Sequence, residues 1–206
     1  PFPLKSGSTY YDNTYISYLK WKLHELRNGR RLFILGIVEE RWTAMNELLN
    51  EQTTFLDVDE KDKDGILKFI SHKAKLLDIT DDEDALYHDF LEREKEFSTG
   101  LQDGFAIPHA RTDNVKKVTV MFLRNKNGID WQTLDNKPVK YIFALLVPKQ
   151  SAGDVHLKMI SSLATALLED EFKDTIISSN DKAELTRYIL KMMGRVKSLW
   201  KTWWMT

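Results

Sequence analysis

Cysteine is absent from all 206 residues. That excludes disulfide bonds, thiolate nucleophiles and the cysteine-rich zinc sites, and it fits a reducing compartment. Long apolar runs are missing as well. No stretch of about 18 apolar residues is free of charge, so no segment reads as a membrane span. The longest apolar run, Tyr141 to Pro148, suits a buried strand. An excess of one charge is also lacking: 30 basic residues stand against 31 acidic ones, a formal net charge of −1. Nothing in that balance favours nucleic acid, which selects a basic surface. The opening PFPLKSGSTYYDN has none of the basic-then-apolar pattern of a secretory leader. The expectation is a soluble, cytoplasmic chain.

What is present is an ordinary globular balance, 42% hydrophobic and 30% charged, on a length that suits one sizeable domain with an appendage. Apolar spacings of three and four mark helices. One begins at Thr14, with Ile16, Leu19, Leu23 and Leu26 on one face, and stops at Asn28-Gly29. Leu32 to Val38 reads as a strand or the start of a buried helix, and Glu39 to Leu49 as helix. The aromatic residues of this first segment, Tyr10, Tyr11, Tyr15, Tyr18, Trp21 and Trp42, suit a docking or dimer face. Asp62 to Leu77 is helical, with Ile66, Leu67, Ile70, Ala74 and Leu77 as its buried stripe. Thr80 to Glu83 has the form of a capping box opening a helix that runs to about Glu94. Asp154 can cap a helix carrying His156, Ile160, Leu163 and Leu167, and Asp181 to Glu184 opens a last one.

Strand candidates lie at Phe55–Val58, Phe105–Ile107, Val118–Leu123 and Val139–Val147. The last is the most hydrophobic and therefore central. Asn127-Gly128 and Asp135-Asn136 read as turns. Strands alternating with helices of this length predict an α/β fold, a three-layer α/β/α sandwich with a mixed sheet between helices, plus a helical N-terminal extension.

The chemistry concentrates in Ser98 to Arg111, STGLQDGFAIPHAR. His109 follows a proline at the end of an apolar strand, where its ring either projects into a cleft or serves as a structural histidine. His156 stands at the first turn of a helix, where backbone amides favour an anion. Arg93 closes the helix that leads into the motif, and its guanidinium fork can hold phosphate oxygens at two points. Imidazoles, an arginine and a helix start suit phosphoryl capture. Metal-dependent hydrolysis would want a third ligand and closely spaced carboxylates. His24, His72 and His88 read as structural or solvent-facing, and the acidic run Asp78–Asp84 as a helix start and solvated face.

STGLQDGFAIPHAR is preceded by Leu91-Glu-Arg-Glu94 and followed by NGIDWQTLDNKPVKYIFALLVP and HLKMISSLATALLEDEF. Together these resemble the enzyme IIA domain of the fructose–mannitol class of the bacterial phosphoenolpyruvate-dependent sugar phosphotransferase system. The resemblance covers about residues 46–190. It implies that His109 is the phosphorylated histidine, that His156 is the second histidine of the pocket, and that Arg93 is the arginine of the family's R-E pair beside the phosphohistidine. Asp103 falls where many relatives have Glu or Asn, and it is either a pocket residue or a solvated turn carboxylate. The implied activity is a phosphotransferase relay. His109 accepts phosphate from the carrier protein HPr and passes it to a IIB domain of a sugar permease, with no metal, nucleotide or other cofactor. Contact with the membrane would be indirect, through the permease. The alternative is a IIA-like sensory domain whose phosphorylation state controls a transcriptional regulator or other partner.

The expected organisation is an N-terminal extension over residues 1–45, the phosphoryl carrier domain over 46–190, and a tail over 191–206. The extension has no counterpart in a free-standing IIA domain. The tail, with Arg195, Lys197, Trp200, Lys201, Trp203 and Trp204, reads as an interfacial or partner-binding helix or as a terminal helix packed on its own domain. The aromatic N-terminal helices are compatible with a homodimer.

Overall fold

A computed structural model describes residues 47–151 and 153–194, with side chains given except at 153–156 and 194. The expectations for residues 1–45, His24 and the Trp-rich tail lie outside the described residues. A 3-10 turn at Glu51–Thr53 leads into β1 (Thr54–Val58), followed by α1 (Lys63–Leu76) and α2 (Glu83–Glu96). Four strands come next: β2 (Phe105–Ala106), β3 (His109–Thr112), β4 (Thr119–Ile129) and β5 (Val139–Pro148). Helices α3 (Gly153–Ala166), α4 (Asp170–Ser178) and α5 (Lys182–Gly194) complete the order.

The sheet runs β1-β4-β5-β2, with β3 also on β5. β1 is parallel to β4, β4 antiparallel to β5, and β2 and β3 both parallel to β5. β5 is thus central, as its unbroken apolar run predicts. Side chains alternate across the sheet with period two. Phe122, Val120, Phe143 and Leu145 face a core shared with Leu163, Phe172, Leu185 and Ile189 of α3, α4 and α5. Met121, Leu123, Ile142, Ala144 and Leu146 face the other core, with Ile66, Leu67 and Ile70 of α1 and Leu86 and Phe90 of α2. Helices therefore cover both faces of a mixed sheet, the layered arrangement that the alternation of elements implies. Each fully buried Leu, Ile or Phe contributes about 1.5–3 kcal/mol by leaving water.

Several boundaries differ from the sequence reading. The second helix is capped by Asp82, whose carboxylate accepts from Ala85 N–H at 3.0 Å; Thr80 instead closes a turn on Asp82. A Ser/Thr-x-x-Glu pattern offers a cap, but Asp82 reaches the amides first. Asn127-Gly128 does not turn; it lies inside β4. Glycine stands there because Pro138 packs against it, and a Cβ would meet the proline ring at 2.7 Å. Asp154 falls inside α3 rather than ahead of it, and α4 is a helix the spacing did not separate. Asp181 does open the last helix, accepting from Glu184 N–H at 2.9 Å.

The most consequential difference concerns the edge strand. His109 does not end the strand that begins at Phe105; it starts β3. β2 pairs with Tyr141 and Ile142 of β5, whereas β3 pairs with Leu145 through Pro148. The two are halves of one edge strand, interrupted where Pro108 has no N–H to give.

Candidate functional site

Gln102 to Phe105 form a tight turn, with Phe105 N–H donating to the Gln102 carbonyl at 3.2 Å. Its central residues, Asp103 and Gly104, have φ of 58° and 79°. Both lie in the left-handed region that Asp tolerates and Gly adopts freely, which is why Asp-Gly fits such a turn. The chain then runs back beside itself. Ile107 N–H donates to the Thr99 carbonyl at 2.9 Å, and Leu101 N–H to Phe105 at 2.8 Å. The halves of STGLQDGFAIPHAR are thereby held against each other, and His109 emerges next to the end of α2.

Arg93, in the last turn of α2, meets the histidine there. Its Nε–H donates to His109 Nε2 at 2.7 Å, and one Nη donates to the Phe97 carbonyl at 2.9 Å. His109 Nδ1 lies 2.9 Å from the Ile107 carbonyl. A guanidinium can only donate and a carbonyl only accept. The ring is therefore the tautomer with hydrogen on Nδ1 and a lone pair on Nε2. His109 is 8% exposed, and its pKa is held below the ordinary histidine value. Burial is the main cause and the Arg93 charge adds to it, while the Ile107 carbonyl and the Glu94 charge oppose it. The imidazole is accordingly neutral near pH 7, the nucleophilic form.

Asp103 has contacts of its own. Its carboxylate binds Lys173 of α4 at 3.0 Å and Lys137 at 3.3 Å. The Asp103 backbone N–H donates to Asp135 at 2.9 Å. These contacts fasten the turn to α4 and to the segment before β5. They hold the Asp103 carboxyl below its usual range, through the bonds to Lys173 first and Lys137 second. His156 belongs to the first turn of α3, and its side chain lies outside the described residues.

Two other participants stand outside the candidate residues, although Glu94 completes the R-E pair quoted for the resemblance. The Ile107 carbonyl fixes the tautomer but is a backbone group, invisible to residue type. Glu94 stands beside Arg93, and its side chain is only 6% exposed. It gathers Thr99, Ser98, Trp131 and Lys63 from distant parts of the chain. Among the described residues, no group of three or more His, Cys, Asp or Glu could hold a metal ion. No described helix is long and apolar enough to cross a membrane.

The chain is similar to known proteins in sequence and in fold. The sequence profile described as "Phosphoenolpyruvate-dependent sugar phosphotransferase system, EIIA 2" matches residues 47–192. The fructose-specific EIIA component of Haloferax volcanii is 38% identical over 120 residues, 58% of this chain and 77% of that protein. The fructose-specific EIIABC component of Bacillus subtilis is 29% identical over 138 residues, 67% of this chain and only 22% of that larger protein. Among solved structures, nitrogen regulatory protein IIA-Ntr from Neisseria meningitidis superposes with a TM-score of 0.64 at 26% identity, over 72% of this chain and 98% of that one. A profile match across most of the chain, on this fold, places it: the chain belongs to the EIIA 2 family of the phosphoenolpyruvate-dependent sugar phosphotransferase system.

Proposed function

We propose that the chain is a phosphoryl carrier in which His109 is the phosphorylated nucleophile. The observation that carries this reading is the pair of bonds on the ring: Nδ1–H to the Ile107 carbonyl and Nε2 facing the Arg93 guanidinium. The Nε2 lone pair attacks the phosphorus of a phosphohistidine on HPr, forming the Nε2–P bond as the donor's N–P bond breaks and its electrons return to the donor ring. The Arg93 Nε–H must leave the lone pair as phosphorus arrives; the same guanidinium then lies beside the transferred oxygens. Charge in the loose transition state resides on those oxygens, so positioning and electrostatic stabilisation supply most of the catalysis. With Nδ1 still protonated, the phosphorylated ring takes on positive charge, which the Ile107 carbonyl stabilises. His156, on the first turn of α3, is the second pocket histidine in this scheme.

The acceptor is a IIB domain of a sugar permease, which would bring the cytoplasmic carrier to the membrane only through that partner. The fructose-specific names of two relatives support a fructose-class permease. A second reading keeps the same phosphohistidine but makes its state a signal to a regulatory partner. The likeness to a nitrogen regulatory protein favours it. Incubation with labelled phosphoenolpyruvate, enzyme I and HPr tests both readings. An acid-labile, base-stable label should appear and vanish in His109→Ala; label retained in that variant refutes the assignment. Chase with purified IIB domains then separates the roles: transfer supports the relay, and a stable label with every IIB supports the signal.

A further inference from the structure

Glu94 is a buried carboxylate that the phosphoryl transfer above does not use. Thr99 Oγ1 donates to its Oε2 at 2.6 Å, and Thr99 N–H reaches both oxygens at 3.2 and 3.3 Å. Trp131 Nε1–H donates to Oε1 at 2.9 Å, and Lys63 Nζ stands 3.5 Å from the same oxygen. The Ser98 hydroxyl lies 3.2 Å from Oε1 and 2.6 Å from the Gln132 carbonyl. These donors come from α1, the Ser98–Thr99 loop and the segment after β4. A carboxylate, which accepts at both of its oxygens, meets the Thr99, Trp131 and Lys63 donors together.

The bonds form a closed circuit. Glu94 holds Thr99; the Thr99 carbonyl accepts from Ile107 N–H at 2.9 Å. The Ile107 carbonyl accepts from His109 Nδ1, and His109 Nε2 accepts from Arg93, which is joined to Glu94 by a peptide bond. Both ring nitrogens of His109 are thus set by atoms whose places depend on one carboxylate. We propose that Glu94 is a positioning residue for phosphoryl transfer, closing a hydrogen-bonded circuit that fixes the tautomer of His109 and the approach of Arg93. The proposal rests on His109 being the nucleophile, as argued above. In a glutamine side chain one oxygen is replaced by an NH2 that donates, so at least one of the surrounding donors loses its acceptor. The Thr99 loop then shifts, and the Ile107 carbonyl with it. An error of about 1 Å in such a constellation costs on the order of 10²-fold in rate.

The test measures two things in the intact protein. Nitrogen-15 NMR of the His109 ring should find one tautomer, protonated at Nδ1, in the wild type and a tautomer mixture in Glu94→Gln. Label transfer from phosphorylated HPr should fall on the order of 10²-fold in Glu94→Gln. Thr99→Val, which keeps the volume and removes one donor to Glu94, should lose about tenfold, and Thr99→Ser should restore the rate. A Glu94→Gln protein with the single tautomer and the wild-type rate overturns the proposal. Should Glu94→Gln fail to fold, the Thr99 pair decides: Thr99→Val matching the wild type in both readouts overturns it equally. A wild type that takes no label instead refutes the carrier reading, and the ring tautomer still judges Glu94.

Discussion

Arg93 offers the sharpest test of how the site works, because two bonds and one charge depend on it. Arg93→Ala removes the Nε–H donor 2.7 Å from His109 Nε2 and the Nη donor on the Phe97 carbonyl. Losing a preorganised donor to a developing oxyanion costs about 3–4 kcal/mol, so phosphorylation by HPr should slow by about 10²–10³-fold. Arg93→Lys restores a point charge but no fork. It cannot serve the Phe97 carbonyl and the phosphoryl oxygens together, and should recover about half of the lost free energy. A second readout is independent of rate. The Arg93 charge helps hold the His109 pKa down, so Arg93→Ala should raise it in an NMR titration of the ring protons. Arg93→Ala labelled within about threefold of wild type, a change of only about 0.7 kcal/mol, would refute the stabilising role. A His109 pKa that fell would refute the electrostatic one. Full rescue by lysine would refute the fork.

Further expectations follow from burial, charge and close approach. His109 is neutral in the folded state down to a pH below the ordinary histidine value of 6.5, so the unfolded chain binds more protons between the two. The stability present above pH 6.5 should therefore decline as pH falls through that window, and less steeply in His109→Ala, as measured by urea denaturation. Asp103→Asn keeps a residue that tolerates positive φ but removes the charge facing Lys173 and Lys137. Because the Asp103 pKa is depressed in the fold, its contribution is present above about pH 4 and lost below. The Tm gap between wild type and variant should close on acidification. Gly100→Ala places a Cβ 2.4 Å from the Gln132 carbonyl oxygen, a backbone clash that should cost about 1–3 kcal/mol and disturb the Thr99 loop. Leu163→Ala, at a fully buried position, should cost about 2–5 kcal/mol in chemical denaturation.

Much of the scaffold was legible because it depends on local periodicity. Ile66, Leu67, Ile70 and Ala74 fall at helical spacing and are all buried in α1, while Leu77, expected in the same stripe, is its half-buried C-cap. The Val139–Val147 run is the central strand, as its hydrophobicity, broken only at Lys140, demands. Where two local signals compete, residue type does not choose between them. Gly128 looks the same in sequence whether it serves a turn or the approach of Pro138. Thr80 and Asp82 both offer a cap, and only the geometry of the first turn chooses.

For the site the division is different. Residue types alone made Arg93 and His109 candidates, since an imidazole and a guanidinium suit phosphoryl chemistry. Residue type likewise left Asp103 between pocket and turn, and the fold directs its carboxylate to Lys137 and Lys173. Sequence could not decide which ring nitrogen holds the lone pair. That depends on a backbone carbonyl at Ile107, on the guanidinium orientation, and on a carboxylate at Glu94 fastened by Thr99 and Trp131. Those contacts join α2, the glycine-flanked loop and the segment after β4, which come together only when the sheet forms. Side-chain chemistry is written residue by residue, whereas tautomer and direction are properties of assembled neighbours.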